Sequence, residues 1–252
     1  MSFSGKTAIV TGGCGGLGAA ITTAFLDAGA NVVAVDINAD LIKSFGEANN
    51  KSTLLTHQAD ISDEAALNKL FSEAISKFGQ VDILINNAGI MDRFEPVGEL
   101  DKSYWDRVLN VNLTAPYMTS KRLANHVQEK GHKGAIVNVS SLAGTTGWAA
   151  GAAYTASKWG LIGLTKNIAA FYADKNVRCN AIMPGPMQTG IANHFAEGYS
   201  QAGMAMQQKK SAAMGPPSEL ADVAALILYL SGDSAKTISG SCVPIDSAWG
   251  AV

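Results

Sequence analysis

Thr7-Ala8-Ile9-Val10-Thr11-Gly12-Gly13-Cys14-Gly15-Gly16-Leu17-Gly18 is a β-branched, apolar run that breaks into a cluster of glycines and then enters a helical pattern, Gly16 to Ala28, stopped by Gly29. A strand, a glycine turn and a helix start in that order make the setting of a dinucleotide site. Small residues let the backbone turn tightly and approach a pyrophosphate, while the helix N-terminus offers N–H groups and a partial positive charge. From Gly12 the spacing is Gly-x-x-x-Gly-x-Gly, not Gly-x-Gly-x-x-Gly, and a glycine cluster by itself reads equally well as a structural turn. The next apolar run, Val33-Ala34-Val35, ends on Asp36 about 20 residues past the glycines, where a carboxylate accepts from ribose hydroxyls and repels a 2′-phosphate. No Lys or Arg stands in the glycine turn or beside Asp36, so NAD is expected over NADP. Read alone, Asp36 is also an ordinary turn residue before Asn38.

The same kind of run recurs at Asn31 to Val35, Leu54 to Thr56, Val81 to Ile85, Ala135 to Val139, Val177 to Ile182 and Cys242 to Ile245, seven in all with the first. The early runs are continuously apolar, as strands are when helices cover both faces of a parallel sheet. Helical patterns lie between them, including Asp63 to Phe78 before Gly79, one beginning near Asp101, and one from about Ala152 to Asp174. Repeated βαβ units predict a doubly wound Rossmann fold: a seven-stranded parallel sheet in a three-layer α/β/α sandwich, a single domain over residues 1–252. Residues 190–217 are less regular and read as a substrate lid of one or two short helices.

With 47% hydrophobic residues, 16% charged and a formal charge of -2, the chain has a large core and no basic footprint for nucleic acid or anionic membrane. Three scattered cysteines, Cys14, Cys179 and Cys242, read as reduced packed thiols. No signal-peptide pattern or membrane-length apolar run is seen, and the expected location is cytoplasmic.

Tyr154-Thr155-Ala156-Ser157-Lys158 sits in a helical pattern, which puts the phenol and the ammonium on one face at i and i+4. A nearby cation favours the phenolate, so Tyr154 is a candidate acid/base with Lys158 as its tuner and a partner for the nicotinamide ribose. The run Ile136-Val137-Asn138-Val139 ends in Ser140 and Ser141 at the carboxyl edge of the sheet, where a hydroxyl can bond a substrate oxygen or simply cap a helix. No metal site is indicated.

Taken together the chain resembles the short-chain dehydrogenase/reductase family, compact branch, over nearly its whole length. Six motifs of that family stand here in order: Thr11 to Gly18, Asn86-Asn87-Ala88-Gly89, Asn112, Ser141, Tyr154 with Lys158, and Pro184-Gly185. The resemblance implies a catalytic set of Asn112, Ser141, Tyr154 and Lys158. Family spacing between serine and tyrosine selects Ser141 over Ser140, and Asn112 would hold a water linking Lys158 to solvent. Implied cofactor contacts are Gly12, Gly16, Leu17, Gly18, Asp36 with Ile37, Asp60 with Ile61 at the adenine, Asn87, Ala88 and Gly89 at the adenosine ribose, Tyr154, Lys158, Pro184, Gly185, Met187, and Thr189 at the carboxamide. A homotetramer, or a homodimer, is also implied. Asp246-Ser247-Ala248 departs from the family's Asp-Gly-Gly, a change expected to bear on C-terminal packing and subunit contacts more than on chemistry.

The reaction so implied is reversible hydride transfer between NAD(H) and a secondary alcohol or ketone, with no metal. Substrate contacts are expected from Leu142, Ala143, Gly144 and Trp148, from Met91 to Phe94, and from the lid, with Met187, Met204, Met206 and Met214 as an adaptable wall. These predict a neutral, fairly hydrophobic substrate. Arg93 is the one nearby cation that can admit a carboxylate, or else a solvated loop charge. The rival readings are a nucleotide-binding regulatory protein without turnover and a non-redox dehydratase or epimerase.

Overall fold

The computed structural model describes residues 2–189, 198–211 and 215–251. Among them lie strands β1 (Thr7–Thr11), β2 (Asn31–Asp36), β3 (Leu54–Gln58), β4 (Ile83–Asn86), β5 (Gly134–Val139), β6 (Val177–Pro184) and β7 (Cys242–Ile245). They form one sheet in the order β3-β2-β1-β4-β5-β6-β7, with every pairing parallel. The chain reverses direction across the sheet between β1 and β4, and a crevice opens outside their carboxyl ends, the usual ligand position in such folds.

Side chains that alternate along each strand feed two cores. Val10, Ala34, Ile85 and Val137 face helices α1 (Gly16–Asp27) and α8 (Leu220–Ser231) through Ile21, Phe25 and Ile227. Ile9, Val33, Leu84 and Ile136 face α3 (Glu64–Phe78), α5 (Ala115–Lys130) and α6 (Ala152–Phe171) through Leu67, Leu70, Leu123 and Ile168. Both faces are covered, so the apolar runs are continuous and the layers are α/β/α as predicted.

Boundaries follow local chemistry. Asp63 caps α3 by accepting from the Ala65 and Ala66 amides, and Gly79 ends it at φ 87. Asn38 caps α2 (Ala39–Ala48) in the same way. The expected strand from Val81 begins instead at Ile83, because Asp82 turns its carboxylate back to the Thr7 amide and Lys6 ammonium, both at 2.9 Å. The helix expected to reach Asp174 stops at Phe171, and Asn176 then takes a left-handed turn at φ 60. Of the lid, α7 (Gln201–Ser211) is seen, while residues 190–197 and 212–214, with Met214, lie outside the described residues. No helix among the described residues is long and apolar enough to cross a membrane.

Candidate active site

A cleft of about 1100 Å³ runs along the carboxyl edge of the sheet. Gly12, Gly16, Leu17 and Gly18 form its floor, Asp36, Ile37, Asp60 and Ile61 one end, and Asn87, Ala88 and Gly89 the middle. Ser141, Tyr154, Lys158, Pro184, Gly185, Met187 and Thr189 close the other end. Of the predicted site residues only Asn112 does not line it; that side chain is fully buried behind the wall.

The floor is held by close contacts. Asn87 donates from its amide nitrogen to the carbonyls of Thr11 at 2.9 Å and Gly12 at 3.2 Å, while the Thr11 hydroxyl accepts from the Asn87 and Ala88 amides. A Cβ on Gly18 would lie 1.8 Å from the Gly12 carbonyl oxygen, so helix α1 starts directly against the turn. Its N-cap, Gly15, has no side chain with which to satisfy the first-turn N–H groups, which remain for an anion in the cleft. Asp36 accepts from the Asn38 amide at 3.1 Å and, more loosely, from the Cys14 amide at 3.4 Å. A pyrophosphate between a free helix start and a ribose beside Asp36 fits this arrangement.

At the far end Tyr154 and Lys158 come from one face of α6, and Ser141 from the end of β5. Ser141 hydrogen-bonds the phenol and accepts from the Ala143 amide at 3.1 Å. Ser140 is buried and donates to the Lys158 carbonyl at 3.1 Å, so its hydroxyl is committed to α6 while that of Ser141 faces the phenol, in line with the spacing that selects Ser141. The Lys158 ammonium donates to the Val139 carbonyl at 2.9 Å and lies 5.3 Å from the Tyr154 ring centroid. Burial pushes Tyr154 up to about 12, with the Ser141 hydrogen bond acting against it and the negative Asp92 adding to it. Desolvation is the largest cause of that shift. Lys158 itself is lowered by burial to about 8.

Asn112 sits in a single π-helical turn, Asn110–Thr114, between α4 (Lys102–Leu109) and α5. Pro116 explains the local break, because it has no N–H to give the Asn112 carbonyl four residues earlier. The side chain holds the backbone of Ile90 at both its N–H and its C=O, each at 2.9 Å, and donates to Ser157 Oγ at 3.2 Å. The amide oxygen of Asn112 and the Lys158 ammonium flank Gly89, 3.2 and 3.5 Å from where its Cβ would stand.

Residues 6–200 match the model of the short chain dehydrogenase family. The chain belongs to the short-chain dehydrogenase family. It is 45% identical over 256 residues to the short chain dehydrogenase/reductase dpchG of Colletotrichum higginsianum, covering 99% of this chain and 96% of that one. It is 38% identical over 254 residues to 3beta-hydroxysteroid dehydrogenase 2 of Eggerthella lenta, with the same coverage of 99% and 96%. The crystal structure of levodione reductase superposes with a TM-score of 0.89 at 28% identity, covering 99% of each chain. The protein is thus an oxidoreductase of a family that uses nicotinamide cofactors.

Around the chemical end of this short-chain dehydrogenase the cleft is lined by Met91, Phe94, Leu142, Trp148 and Met187, as the sequence suggests, but also by Gln207 and Trp249. Ala143 and Gly144 pack behind the wall, and Met204 and Met206 do not reach it. Arg93 is neither a carboxylate receptor nor a solvated charge: it pairs with Glu95 at 2.9 Å and stacks on Tyr104 at 4.6 Å, outside the cleft. The C-terminal departure from Asp-Gly-Gly matters more than expected. Ser247 and Ala248 keep left-handed backbones, at φ 50 and 68, and the turn swings Trp249 into the wall with its indole N–H on the Gly215 carbonyl at 2.8 Å. No spacing rule points to that position; its one signal is a large aromatic where the family carries its Asp-Gly-Gly turn.

Proposed function

We propose that this short-chain dehydrogenase interconverts a neutral, hydrophobic secondary alcohol and its ketone using NAD(H), with Tyr154 as acid/base. The observation that carries the reading is the convergence of Ser141, Tyr154 and Lys158 at the closed, apolar end of a cleft whose other end is built for a dinucleotide. When bound, the nicotinamide supplies the hydride donor or acceptor and, when oxidised, a positive charge. Ser141 and Tyr154 grip the substrate oxygen from one side. In oxidation the phenolate takes the alcohol proton, and in reduction the phenol returns one to the carbonyl oxygen. The positive Lys158 favours the phenolate by Coulomb attraction, and a lysine lowered to about 8 exchanges protons readily near neutral pH. Asn112, whose amide oxygen flanks Gly89 beside the Lys158 ammonium, would hold a water that carries that proton onward.

Asp36 favours NAD, and the cations lining the cleft among the described residues, Lys158 and Arg107, belong to neither the glycine turn nor the end of β2. The aromatic and thioether wall suits a ring-borne alcohol or ketone, a class to which the hydroxysteroid in the Eggerthella lenta relative's name belongs. Exposed Tyr117, Trp159 and Phe171 on α5 and α6 support self-association, read here as a homotetramer, and three unpaired thiols suit the cytosol.

The test is NADH and NADPH oxidation against a panel of cyclic, aromatic and aliphatic ketones. Tyr154→Phe is expected to cut kcat by about 10²- to 10⁴-fold, and Asp36→Ala to erode the preference for NADH. Retained turnover in Tyr154→Phe sinks the mechanism. A parent that prefers NADPH sinks the reading of Asp36, and turnover without net NADH change would point to a dehydratase or epimerase.

A further inference from the structure

Helix α6 carries the acid/base, yet its N-cap, Gly151, has no side chain to cap it. In a capping box the N-cap side chain takes the N–H of the third helical residue, and that residue's side chain takes the N-cap N–H. Here a single carboxylate from the loop after β4 does both. Asp92 accepts the Gly151 N–H at 2.9 Å through Oδ1 and the Tyr154 N–H at 2.9 Å through Oδ2, while Oδ1 also takes the Phe94 N–H at 3.1 Å. The two contacts with α6 span 59 and 62 residues of sequence. A Cβ at position 151 would stand 2.7 Å from Asp92 Oδ2 and 2.6 Å from the Glu95 nitrogen, so glycine is what lets the carboxylate reach the helix.

Asp92 is 0% exposed and makes no ion pair among the described residues. The neighbouring cation, Arg93, is turned to Glu95 and Tyr104. Burial raises the Asp92 carboxyl above its ordinary value, and the N–H groups of Tyr154, Gly151 and Phe94, with the helix dipole, act against that and favour the anion. The loop that carries it is itself fixed upstream, since Asn112 clamps Ile90, donates to Ser157 Oγ, and Ser157 Oγ donates to the Tyr154 carbonyl at 2.7 Å. Tyr154 is therefore held by its N–H and by its C=O from one closed circuit.

We propose that Asp92 is a positioning residue for Tyr154: its carboxylate fixes the first turn of α6, and so the phenol, while its negative charge acts on that phenol through the same turn. The proposal rests on the acid/base reading of Tyr154. Lys158 on α6 lies 5.3 Å from the Tyr154 ring centroid and Arg107 on α4 lines the same cleft, while Arg93 and Glu95 on the loop pair with each other outside it. Of the carboxylates, it is Asp92 that raises the phenol, after burial itself. Taking away this like charge makes the phenolate easier to form, which moves the rising limb of alcohol oxidation to lower pH.

Asp92→Asn and Asp92→Ala, in the full chain with NADH or NAD⁺, are the test. Both are expected to keep NADH affinity within about twofold and to lower kcat, in the Ala variant by about tenfold or more, since small misplacements of reacting groups are costly. The limb of the kcat profile for alcohol oxidation should move acid-ward by about one pH unit in both, and amides 151–157 should exchange hydrogen faster. NADH-binding variants with kcat within twofold of the parent and an unmoved limb overturn the proposal. Should Asp92→Ala fail to fold, Gly151→Ala presses a methyl onto Oδ2, and unchanged exchange with unchanged kcat there overturns it equally. Retained turnover in Tyr154→Phe would instead overturn the reading of the site, while amide exchange still reports on the hold.

Discussion

Replacing Lys158 with methionine separates what the lysine does for chemistry from what it costs in folding. The side chain is 3% exposed, and burial lowers its pKa from the ordinary 10.5 to about 8. The unfolded chain thus keeps this proton up to about pH 10.5 and the folded chain only up to about pH 8. Below pH 8 both are protonated and the folded state bears the full penalty, about 2.5 pKa units at about 1.4 kcal/mol each, or roughly 3.5 kcal/mol. Between pH 8 and 10.5 the folded lysine loses its charge first and the penalty shrinks; above 10.5 it is gone. The methionine variant bears none of it, but it strands the Val139 carbonyl, at a cost of about 1–3 kcal/mol. At pH 7 the variant is therefore expected to match or modestly exceed the parent in stability while losing turnover. Going from pH 7 to 9.5, the parent should gain about 2 kcal/mol on the variant, the 1.5 units above pH 8 times about 1.4 kcal/mol. Buried Cys14 and Cys179, which burial also raises, titrate in both proteins and cancel. Urea unfolding followed by circular dichroism at the two pH values measures the difference. A gap between parent and variant that does not change with pH, or that moves the other way, refutes the argument that this ammonium is desolvated.

Gly18→Ala would place a methyl 1.8 Å from the Gly12 carbonyl oxygen and 2.7 Å from Asn87 Nδ2. Relief to an ordinary contact of about 3 Å needs roughly a 1 Å shift of α1 against the turn, expected to cost about 1–3 kcal/mol in overpacking and to weaken NADH binding at least about tenfold, because the phosphate-facing N–H groups move. Unchanged melting and unchanged fluorescence titration would contradict this. Ser247→Gly with Ala248→Gly relieves two left-handed non-glycine backbones at φ 50 and 68. After the added freedom of the unfolded chain, a net gain of about 1 kcal/mol is expected, or about 2–4 °C in Tm for a chain of this size; a lower Tm in calorimetry would show that the turn is not strained.

The sheet was legible because each strand buries both faces, so its composition carries the signal without any need for alternation; only at Asp82, where a carboxylate bonds backward to Lys6 and Thr7, does the apolar run overstate the strand. Tyr154, Lys158 and Ser141 were legible because helix periodicity and the end of a strand are local properties, and the family order tied them together. Asp92 was not, since its partners lie 59 and 62 residues away and nothing around it marks a buried anion. Trp249 was not legible, because its arrival in the cleft depends on backbone angles at Ser247 and Ala248 that those residue types do not advertise. Arg93 was misread for a related reason: a charge in an apolar loop looks free until its partner, two residues on and on the same side, is seen.

The π turn at Asn110–Thr114 inserts what amounts to one extra residue into an otherwise regular rod. Upstream of Pro116 the rod must aim Asn112 at the Ile90 backbone; downstream it must aim Thr119 and Ser120 at Asn86 under the sheet, at 2.7 and 3.2 Å. A uniform helix advances about 100° per residue and has no adjustable phase, so it could meet one of those alignments and miss the other. The bulge acts as a vernier between them. An engineer who rebuilt residues 102–130 as an ideal straight helix would gain regularity and lose one of the two registrations, and deleting a single residue there would turn either the loop clamp or the sheet contact about a quarter of the way round the rod.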